Sequence, residues 1–103
     1  MVRHQALVLH PDDNVAVALE DLAAGQAVET GPAGVLVLAQ MVPFGHKFAL
    51  RSIRRGSSVV KYGHPIGQAL VDIAAGSWVH MHNLASAKAG PPARSPPPEA
   101  RRP

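Results

Sequence analysis

The stretch ALEDLAAGQAV, residues 18–28, recurs in two near copies, ALRSIRRGSSV at residues 49–59 and ALVDIAAGSWV at residues 69–79. Each copy has a leucine or isoleucine, a glycine three residues later, and a valine three residues after the glycine. The copies lie 31 and then 20 residues apart, so the repeat lacks the constant period of a solenoid protein.

The glycine of each copy predicts a tight turn between two short strands. Glycine adopts the positive φ angles that such turns require, and the flanking aliphatic residues would anchor the strands to a core. Residues 20–25 (EDLAAG) also contain good helix formers, but glycines recur too often for helices of ordinary length. A single helical turn before each glycine stays open.

Other segments show the alternation or the β-branched side chains that are typical of strands. They are QALVLH (5–10), VAVALE (15–20), VLVLA (35–39), SVVKY (58–62) and WVHMH (78–82). Turn-forming residues occupy positions 12–14 and 61–65. The pattern predicts a small all-β domain of short strands and glycine turns, without a long amphipathic helix.

Composition divides the chain near residue 84. Residues 85–103 hold six of the ten prolines and nothing apolar larger than alanine, so they cannot bury enough surface to offset their ordering entropy. We therefore predict an ordered domain over residues 1–84 and a disordered Pro/Ala/Arg tail over residues 85–103. A domain this small is near the lower limit for independent folding, which favours a partner chain.

Charge and composition exclude several classes of function. The net charge of +3 falls entirely in residues 85–103, and a neutral remainder with four aromatic residues argues against nucleic-acid binding. The lack of cysteine excludes disulfides and thiolate metal sites. No segment is apolar for long enough to span a membrane and no signal peptide is evident, so we expect a soluble cytoplasmic protein.

Four segments, in order along the chain, resemble one known family. They are HPDDNVAVA (10–18), GHKFAL (45–50), KYGHPIG (61–67) and VHMHN (79–83). Together they are similar to the N-terminal domain of the altronate/galactarate dehydratase family of sugar-acid lyases, over roughly residues 4–84. That domain is of the SAF type, so the resemblance implies a β-clip fold, a compact and bent set of short strands and loops.

The resemblance also implies a metal-dependent lyase reaction on a small hydroxy acid. In the family, a proton leaves the carbon next to a carboxylate and a second group leaves the following carbon. Loss of water from a sugar acid gives a 2-keto-3-deoxy acid, and loss of sulfite from sulfolactate gives pyruvate. A divalent metal, Fe²⁺ or else Mn²⁺, would stabilise the enolate-like charge.

The chain departs from the family pattern after Asn83. Members with both parts on one chain typically carry Lys-Thr there and continue into a much larger catalytic domain, whereas this chain continues with LAS and then prolines. It thus resembles the separate small subunit of split enzymes, including the alpha subunit of sulfolactate sulfo-lyase. A large catalytic subunit is the partner that this implies; an orphaned duplicate without a partner is the alternative.

The histidines are the candidate metal ligands. If residues 78–82 form a strand, His80 and His82 point to the same side and can meet one ion, with His46 joining them. The alternative is ordinary packing of both imidazoles beside Trp78 on a half-buried face. The family resemblance favours site roles for all three, and the choice between binding metal and orienting substrate stays open.

Neighbouring residues complete the predicted site. Lys47 would hold a substrate carboxylate as a compact charge, and with His46 it forms the predicted catalytic pair. Gly45 and Asn83 are the predicted substrate-binding residues. The structural alternatives are a solvated lysine, a turn glycine and an asparagine that closes a turn.

The remaining basic residues of the domain are expected to be structural or solvated. Those singled out are His10, His64, Arg51, Arg54 and Arg55, whereas His4, in the N-terminal arm, supports no assignment. For the arginines, docking on an acidic surface of the large subunit is the alternative. The rival to a lyase subunit is a SAF module that only binds carbohydrate or assists assembly, and three converging histidines favour the lyase.

Overall fold

The computed structural model describes residues 5–31 and 34–86, and its regular secondary structure is β-strand. Nine short strands follow one another along the chain. They are β1 (Ala6–Leu7), β2 (Val15–Ala18), β3 (Ala27–Glu29), β4 (Val35–Val37), β5 (Lys47–Ala49), β6 (Ser58–Lys61), β7 (His64–Ala69), β8 (Trp78–Val79) and β9 (Leu84–Ser86). No α-helix occurs in these two ranges, which confirms the predicted all-β class.

The strands form three small antiparallel sheets. Four strands make the central sheet in the order β1, β2, β5, β8. Strands β3 and β4 form a separate pair, and β7 lies between β6 and β9 in the third sheet. Because β5 pairs with β2 on one side and β8 on the other, segments distant in sequence meet in the central sheet.

The repeated stretch, which we call the glycine phrase (Leu/Ile, a turn glycine three residues later, Val three residues after that), occurs four times in the structure. The sequence alone showed three copies. The turn glycines have φ angles of 82° to 85° and are Gly25, Gly45, Gly56 and Gly76. In the additional copy the aliphatic residue is Val42 and the final valine is replaced by Phe48. These two exchanges hide the copy from a comparison that looks for Leu/Ile and Val.

The four copies pair two by two. Leu22 exchanges two backbone hydrogen bonds of 2.9 Å with Val42, and Ile53 exchanges two of 2.8 Å with Ile73. The second pair lies 31 residues after the first, so the second half of the domain repeats the first. The fold is therefore a duplication of a unit that contains two glycine turns.

Each half has its own apolar core. The first contains Leu22, Val28, Leu38, Val42 and Phe48, and the second contains Ile53, Val59, Ala69, Ile73 and Val79. Strand β5 joins the two cores, because successive side chains of a strand point to opposite faces. Phe48 lies in the first core and Ala49 in the second, so this alternation decides where each site residue on β5 emerges.

Both predicted turns are confirmed and connect the two halves. Tyr62 and Gly63 have φ angles of 58° and 75°, as a two-residue type I′ hairpin turn requires. The Asp-Asp-Asn turn binds the third sheet: Asp13 Oδ1 accepts from the Gly63 amide at 2.8 Å, and Asn14 Oδ1 accepts from the Val60 amide at 2.7 Å.

Several predicted strands are shorter than expected. The segment 5–10 pairs only at Ala6–Leu7, and the strand predicted over 78–82 is wrong beyond Val79, because residues 80–83 turn. The prediction also missed β5 and β7, whose polar and turn-forming residues obscure the alternation.

Regular structure continues slightly beyond the predicted end of the domain. Strand β9 runs to Ser86, two residues past the boundary predicted at residue 84. The rest of the predicted tail, residues 87–103, lies outside the described residues, as does His4. Within the part that the structure describes, no helix is long and apolar enough to cross a membrane.

Candidate functional site

The pairing of β5 with β8 brings two predicted site segments together. The register places Lys47 directly opposite Val79. His46 and His80 lie just beyond this last pair, and their ring centroids are 4.9 Å apart. Side chains at opposed positions of an antiparallel pair contact each other, so this encounter follows from the strand register.

Trp78 lies at the centre of a group that we call the histidine–tryptophan cluster: His46, Trp78, His80 and His82. The His80 ring stacks on the indole with a centroid distance of 5.0 Å and an interplanar angle of 9°. The rings of His82 and His46 are tilted against the indole at 5.2 Å and 5.7 Å. The structure thus brings the three predicted histidines together, and packing on Trp78 is what holds them.

The alignment of His80 with His82 has a different cause from the one predicted. Strand β8 ends at Val79, and the Asn83 side chain closes a turn: its Oδ1 accepts from the His80 amide at 2.9 Å, and its Nδ2 donates to the Trp78 carbonyl at 2.8 Å. The chain curls around the indole, and both imidazoles contact it from the turn. Asn83 is 6% exposed and has the structural role of an asparagine that closes a turn. Its predicted contact with substrate stays a prediction.

A hydrogen bond from the indole orients His46. Trp78 Nε1–H donates to His46 Nδ1 at 3.1 Å. Both side chains are half-buried at the edge of the first core, where Trp78 packs against the buried residues. The Nε2 atom is therefore the nitrogen of His46 that remains for a ligand.

Lys47 emerges on the other face of β5. It lies two residues before Ala49, which faces the second core, whereas His46 lies two residues before Phe48, which faces the first. The two members of the predicted catalytic pair therefore leave the strand on opposite faces. The Lys47 ammonium is still close enough for its charge to contribute to lowering the pKa of His80.

Burial and neighbouring basic side chains lower the pKa values of two residues at this site, His80 and Lys47. Burial lowers the pKa of His80, and the charges of His46, Lys47 and His82 lower it further. Burial also lowers the pKa of Lys47, followed by repulsion from Lys61. Among residues 5–31 and 34–86, neither lysine forms an ion pair with a carboxylate. Such a surface favours an anionic ligand.

The described residues do not by themselves make a metal site. No three side chains of His, Asp or Glu within this part of the chain are grouped so that they could hold an ion. The Nδ1 atom of His46 already accepts a hydrogen bond from Trp78. His80 and His82 thus offer at most two ligands, fewer than the three protein ligands of a catalytic zinc site.

The other predicted residues have structural explanations. Gly45 is the turn glycine of the additional copy of the glycine phrase. Its φ is 82°, and its amide donates to the Ala18 carbonyl at 2.8 Å. The His10 ring packs over Gly63, where an added Cβ would lie 2.9 Å from it. His64 is exposed at the start of β7.

A cleft of about 470 Å³ lies elsewhere on the domain, with His10, Asp13 and Arg51 among its walls. Arg51 Nη1 donates to the Asp13 carbonyl at 3.2 Å, which gives this arginine a structural partner. None of the predicted site residues lines the cleft. The histidine–tryptophan cluster, rather than this cleft, is the candidate functional site.

The sequence predicts only a packing role for Trp78, and its hydrogen bond to His46 is not among the predictions. The available signal was the spacing Trp-x-His-x-His at residues 78–82, with the only tryptophan of the chain. That spacing does not reveal the partner, because His46 lies 32 residues away and reaches Trp78 only through strand pairing.

The fold and the cluster define a small all-β module that presents imidazoles and a lysine beside one edge of its central sheet. Residues 4–87 match the family model described as the altronate/galactarate dehydratase SAF domain. The match covers most of the chain, and the chain belongs to this family. The resemblance found in the four sequence segments is therefore confirmed.

Three curated relatives illustrate the range of the family. Altronate dehydratase of Escherichia coli (strain K12) is 56% identical over 79 residues, which are 77% of this chain and 16% of the relative. Galactarate dehydratase (L-threo-forming) of the same strain is 38% identical over 69% of this chain and 13% of the relative. (2R)-sulfolactate sulfo-lyase subunit alpha of Paracoccus pantotrophus is 43% identical over 41% of this chain and 63% of the relative.

The lengths of these matches differ in an informative way. The chain spans about one sixth of the altronate dehydratase that it matches. It spans almost two thirds of the sulfo-lyase alpha subunit, whose name marks it as one part of a larger enzyme. The family is thus one of lyases, and this chain corresponds to their small SAF domain.

Proposed function

We propose that this chain is the small subunit of a two-component hydroxy-acid lyase, of the altronate/galactarate dehydratase type. The observation that carries the proposal is the convergence of His46, His80 and His82 on Trp78, with the Lys47 charge acting on His80. A module that only binds carbohydrate or assists assembly has no need for three imidazoles at one place. We further propose that the enzyme acts in the cytoplasm.

The proposed partner is a large catalytic subunit that completes the site. Two large apolar side chains next to the cluster in sequence are exposed. Met81, between His80 and His82, is 77% exposed, and Phe44, two residues before His46, is 65% exposed. Exposed apolar groups of this size, next to polar residues, are typical of surfaces that bind another protein. Contact there would also close the site against water.

The proposed substrate is a sugar acid, held through its carboxylate. The Lys47 ammonium, without a carboxylate partner in the described residues, is the group that would bind it, and His46 would hydrogen-bond to the substrate through Nε2. Elimination breaks the C–H bond next to the carboxylate and the C–O bond on the following carbon. The C–H electron pair becomes the new double bond, water leaves, and the enol tautomerises to the 2-keto-3-deoxy acid.

We propose that the reaction requires a divalent metal ion. Fe²⁺, or else Mn²⁺, would take His80 and His82 as two of its ligands, and the large subunit would supply the others. Neutral imidazole is a suitable ligand for both ions, and the lowered pKa of His80 favours its neutral form. The metal would supply charge stabilisation for the enolate-like intermediate.

Sulfolactate is the second candidate substrate. The observation that favours it is the match to the sulfo-lyase alpha subunit, because this chain covers far more of that relative than of altronate dehydratase. The same residues would bind its carboxylate, and sulfite would leave in place of water. A non-catalytic binding or assembly module is the remaining alternative, and the experiment below separates the three.

The test is co-purification with the candidate large subunit, followed by an assay for release of 2-keto acid. The substrate panel contains altronate, galactarate and sulfolactate, each with and without Fe²⁺ or Mn²⁺. The variants are the double substitution His80→Ala/His82→Ala and the control His64→Ala, which removes an exposed imidazole outside the cluster.

We expect metal-dependent turnover that requires both chains, is abolished by the double substitution and is unchanged in His64→Ala. The productive substrate then identifies the reaction. Absence of a complex, or normal turnover in the double variant, would contradict the proposal and leave the binding-module alternative.

A further inference from the structure

Trp78 is held more firmly than a surface aromatic residue usually is. Its amide donates to Gln40 Oε1 at 2.9 Å, and its carbonyl accepts from Asn83 Nδ2 at 2.8 Å. The indole packs against the first core on one side and stacks with His80. Backbone and ring are therefore fixed together, and the direction of the Nε1–H bond is fixed with them.

This N–H bond points at one atom of one histidine. Trp78 Nε1 lies 3.1 Å from His46 Nδ1, within normal hydrogen-bond distance. An indole nitrogen can only donate, so His46 Nδ1 must accept with a lone pair. In a neutral imidazole the proton then resides on Nε2, and the tautomer of His46 is set by its neighbour.

We propose that Trp78 is a positioning residue of this site, whose indole N–H holds His46 in the tautomer with its proton on Nε2. His46 then meets a ligand as a hydrogen-bond donor. It is neither a metal ligand nor a proton acceptor at Nε2 while the bond to Trp78 persists. The inference rests on the proposed function for the ligand it names, an anionic hydroxy acid.

The three histidines thus have two different tasks. His46 donates to a substrate oxygen, whereas His80 and His82 keep lone pairs for other partners. A neutral donor aimed at a carboxylate or enolate oxygen stabilises the charge that develops during elimination. Trp78 would contribute to this without touching the substrate.

The first test needs no variant. The chain has a single tryptophan, so the indole N–H signal of the ¹⁵N-labelled full chain is unambiguous. We expect a scalar coupling across the hydrogen bond from Trp78 Nε1 to His46 Nδ1, and two-bond ¹H–¹⁵N spectra that show Nδ1 unprotonated. A folded chain without this coupling, or with His46 protonated at Nδ1, would overturn the proposal.

The second test uses Trp78→Phe, which keeps an aromatic ring beside His80 and removes the indole N–H together with the five-membered ring that carries it. In complex with the large subunit we expect kcat to fall about three- to tenfold, the range for one neutral hydrogen bond, with KM changed less. Tyr62→Phe, which also removes one polar atom from an aromatic residue outside the cluster, should leave both constants unchanged. Unchanged kcat in Trp78→Phe would overturn the positioning role.

The two tests separate failure of this inference from failure of the proposed function. If the wild-type complex turns over none of the substrates, the proposed lyase fails, while the coupling measured in the chain alone still decides the tautomer. If turnover is normal but the coupling is missing, the lyase stands and the positioning role of Trp78 falls.

Discussion

The side-chain amide of Asn83 bonds to the backbone on both sides of Val79. Its Nδ2 donates to the Trp78 carbonyl at 2.8 Å, and its Oδ1 accepts from the His80 amide at 2.9 Å. One buried side chain thus satisfies both ends of the turn that carries His80 and His82. The geometry of the cluster depends on this turn, so Asn83 controls how the imidazoles of His80 and His82 are presented.

We expect Asn83→Ala to destabilise the domain by about 1–3 kcal/mol, because two partly buried backbone groups lose their partners. Urea unfolding followed by tryptophan fluorescence measures the change, since Trp78 itself lies in the affected turn. Gln68→Ala, at an exposed position of β7, is the control and should change the free energy of unfolding little. Equal stability of the two variants would contradict the role assigned to Asn83.

The glycine turns allow a matched comparison of conformational strain and steric clash. Gly56 and Gly76 have nearly the same φ, 85° and 84°, but an added Cβ at Gly56 meets nothing within 4 Å. At Gly76 it would lie 2.6 Å from the Val37 carbonyl oxygen. We expect Gly56→Ala to cost about 1–2 kcal/mol, the penalty of a left-handed conformation.

Gly76→Ala should be clearly more destabilising, because it adds the clash with β4 to the same backbone strain. Thermal unfolding of the two variants under one set of conditions measures the difference. If both substitutions lowered the melting temperature equally, the close approach of the Gly76 turn to Val37 would be refuted.

The lysine of the site is predicted to reduce stability. Burial and repulsion by Lys61 lower the pKa of Lys47 below its ordinary value of 10.5 in the folded chain. Between the folded and the ordinary pKa, the unfolded chain binds more protons, so wild-type stability rises with pH in that window. Below it, both states are protonated and the folded state carries the full penalty.

Lys47→Met should therefore stabilise the domain at neutral pH, and its advantage should shrink as the pH rises toward 10.5. Melting temperatures of both proteins across this range provide the measurement. Arg54→Met, which removes an exposed positive charge, serves as the control for net charge. A variant less stable than wild type at neutral pH would show that the Lys47 charge has a compensating partner.

The exposed apolar residues beside the cluster lead to a prediction about assembly. If the large subunit covers this surface, Met81→Ser and Phe44→Ser should each weaken binding about tenfold or more, as truncation of a central apolar contact does. Isothermal titration calorimetry with the large subunit measures the affinity. Val35→Ser, at a residue of β4 that is 69% exposed, is the control, and an equal effect there would place the interface elsewhere.

Local chemistry alone was enough to predict much of this protein. Turn glycines with aliphatic neighbours dictate short strands and exclude long helices, because positive φ and chain reversal are properties of a few adjacent residues. The all-β class, the turns at residues 12–14 and 61–65, and the family were accessible in this way. The histidines were also identified as candidates from the sequence.

Tertiary structure alone decided which of these residues meet. The Leu22–Val42 and Ile53–Ile73 pairs depend on backbone contacts between distant segments, and the additional copy of the phrase became visible only through them. In the same way, the pairing of β5 with β8 placed Trp78 against His46 and sent Lys47 to the opposite face. Strand register is set by which side chains are buried on each face of a sheet. Strands of two to six residues are too short for their sequence pattern to indicate the register.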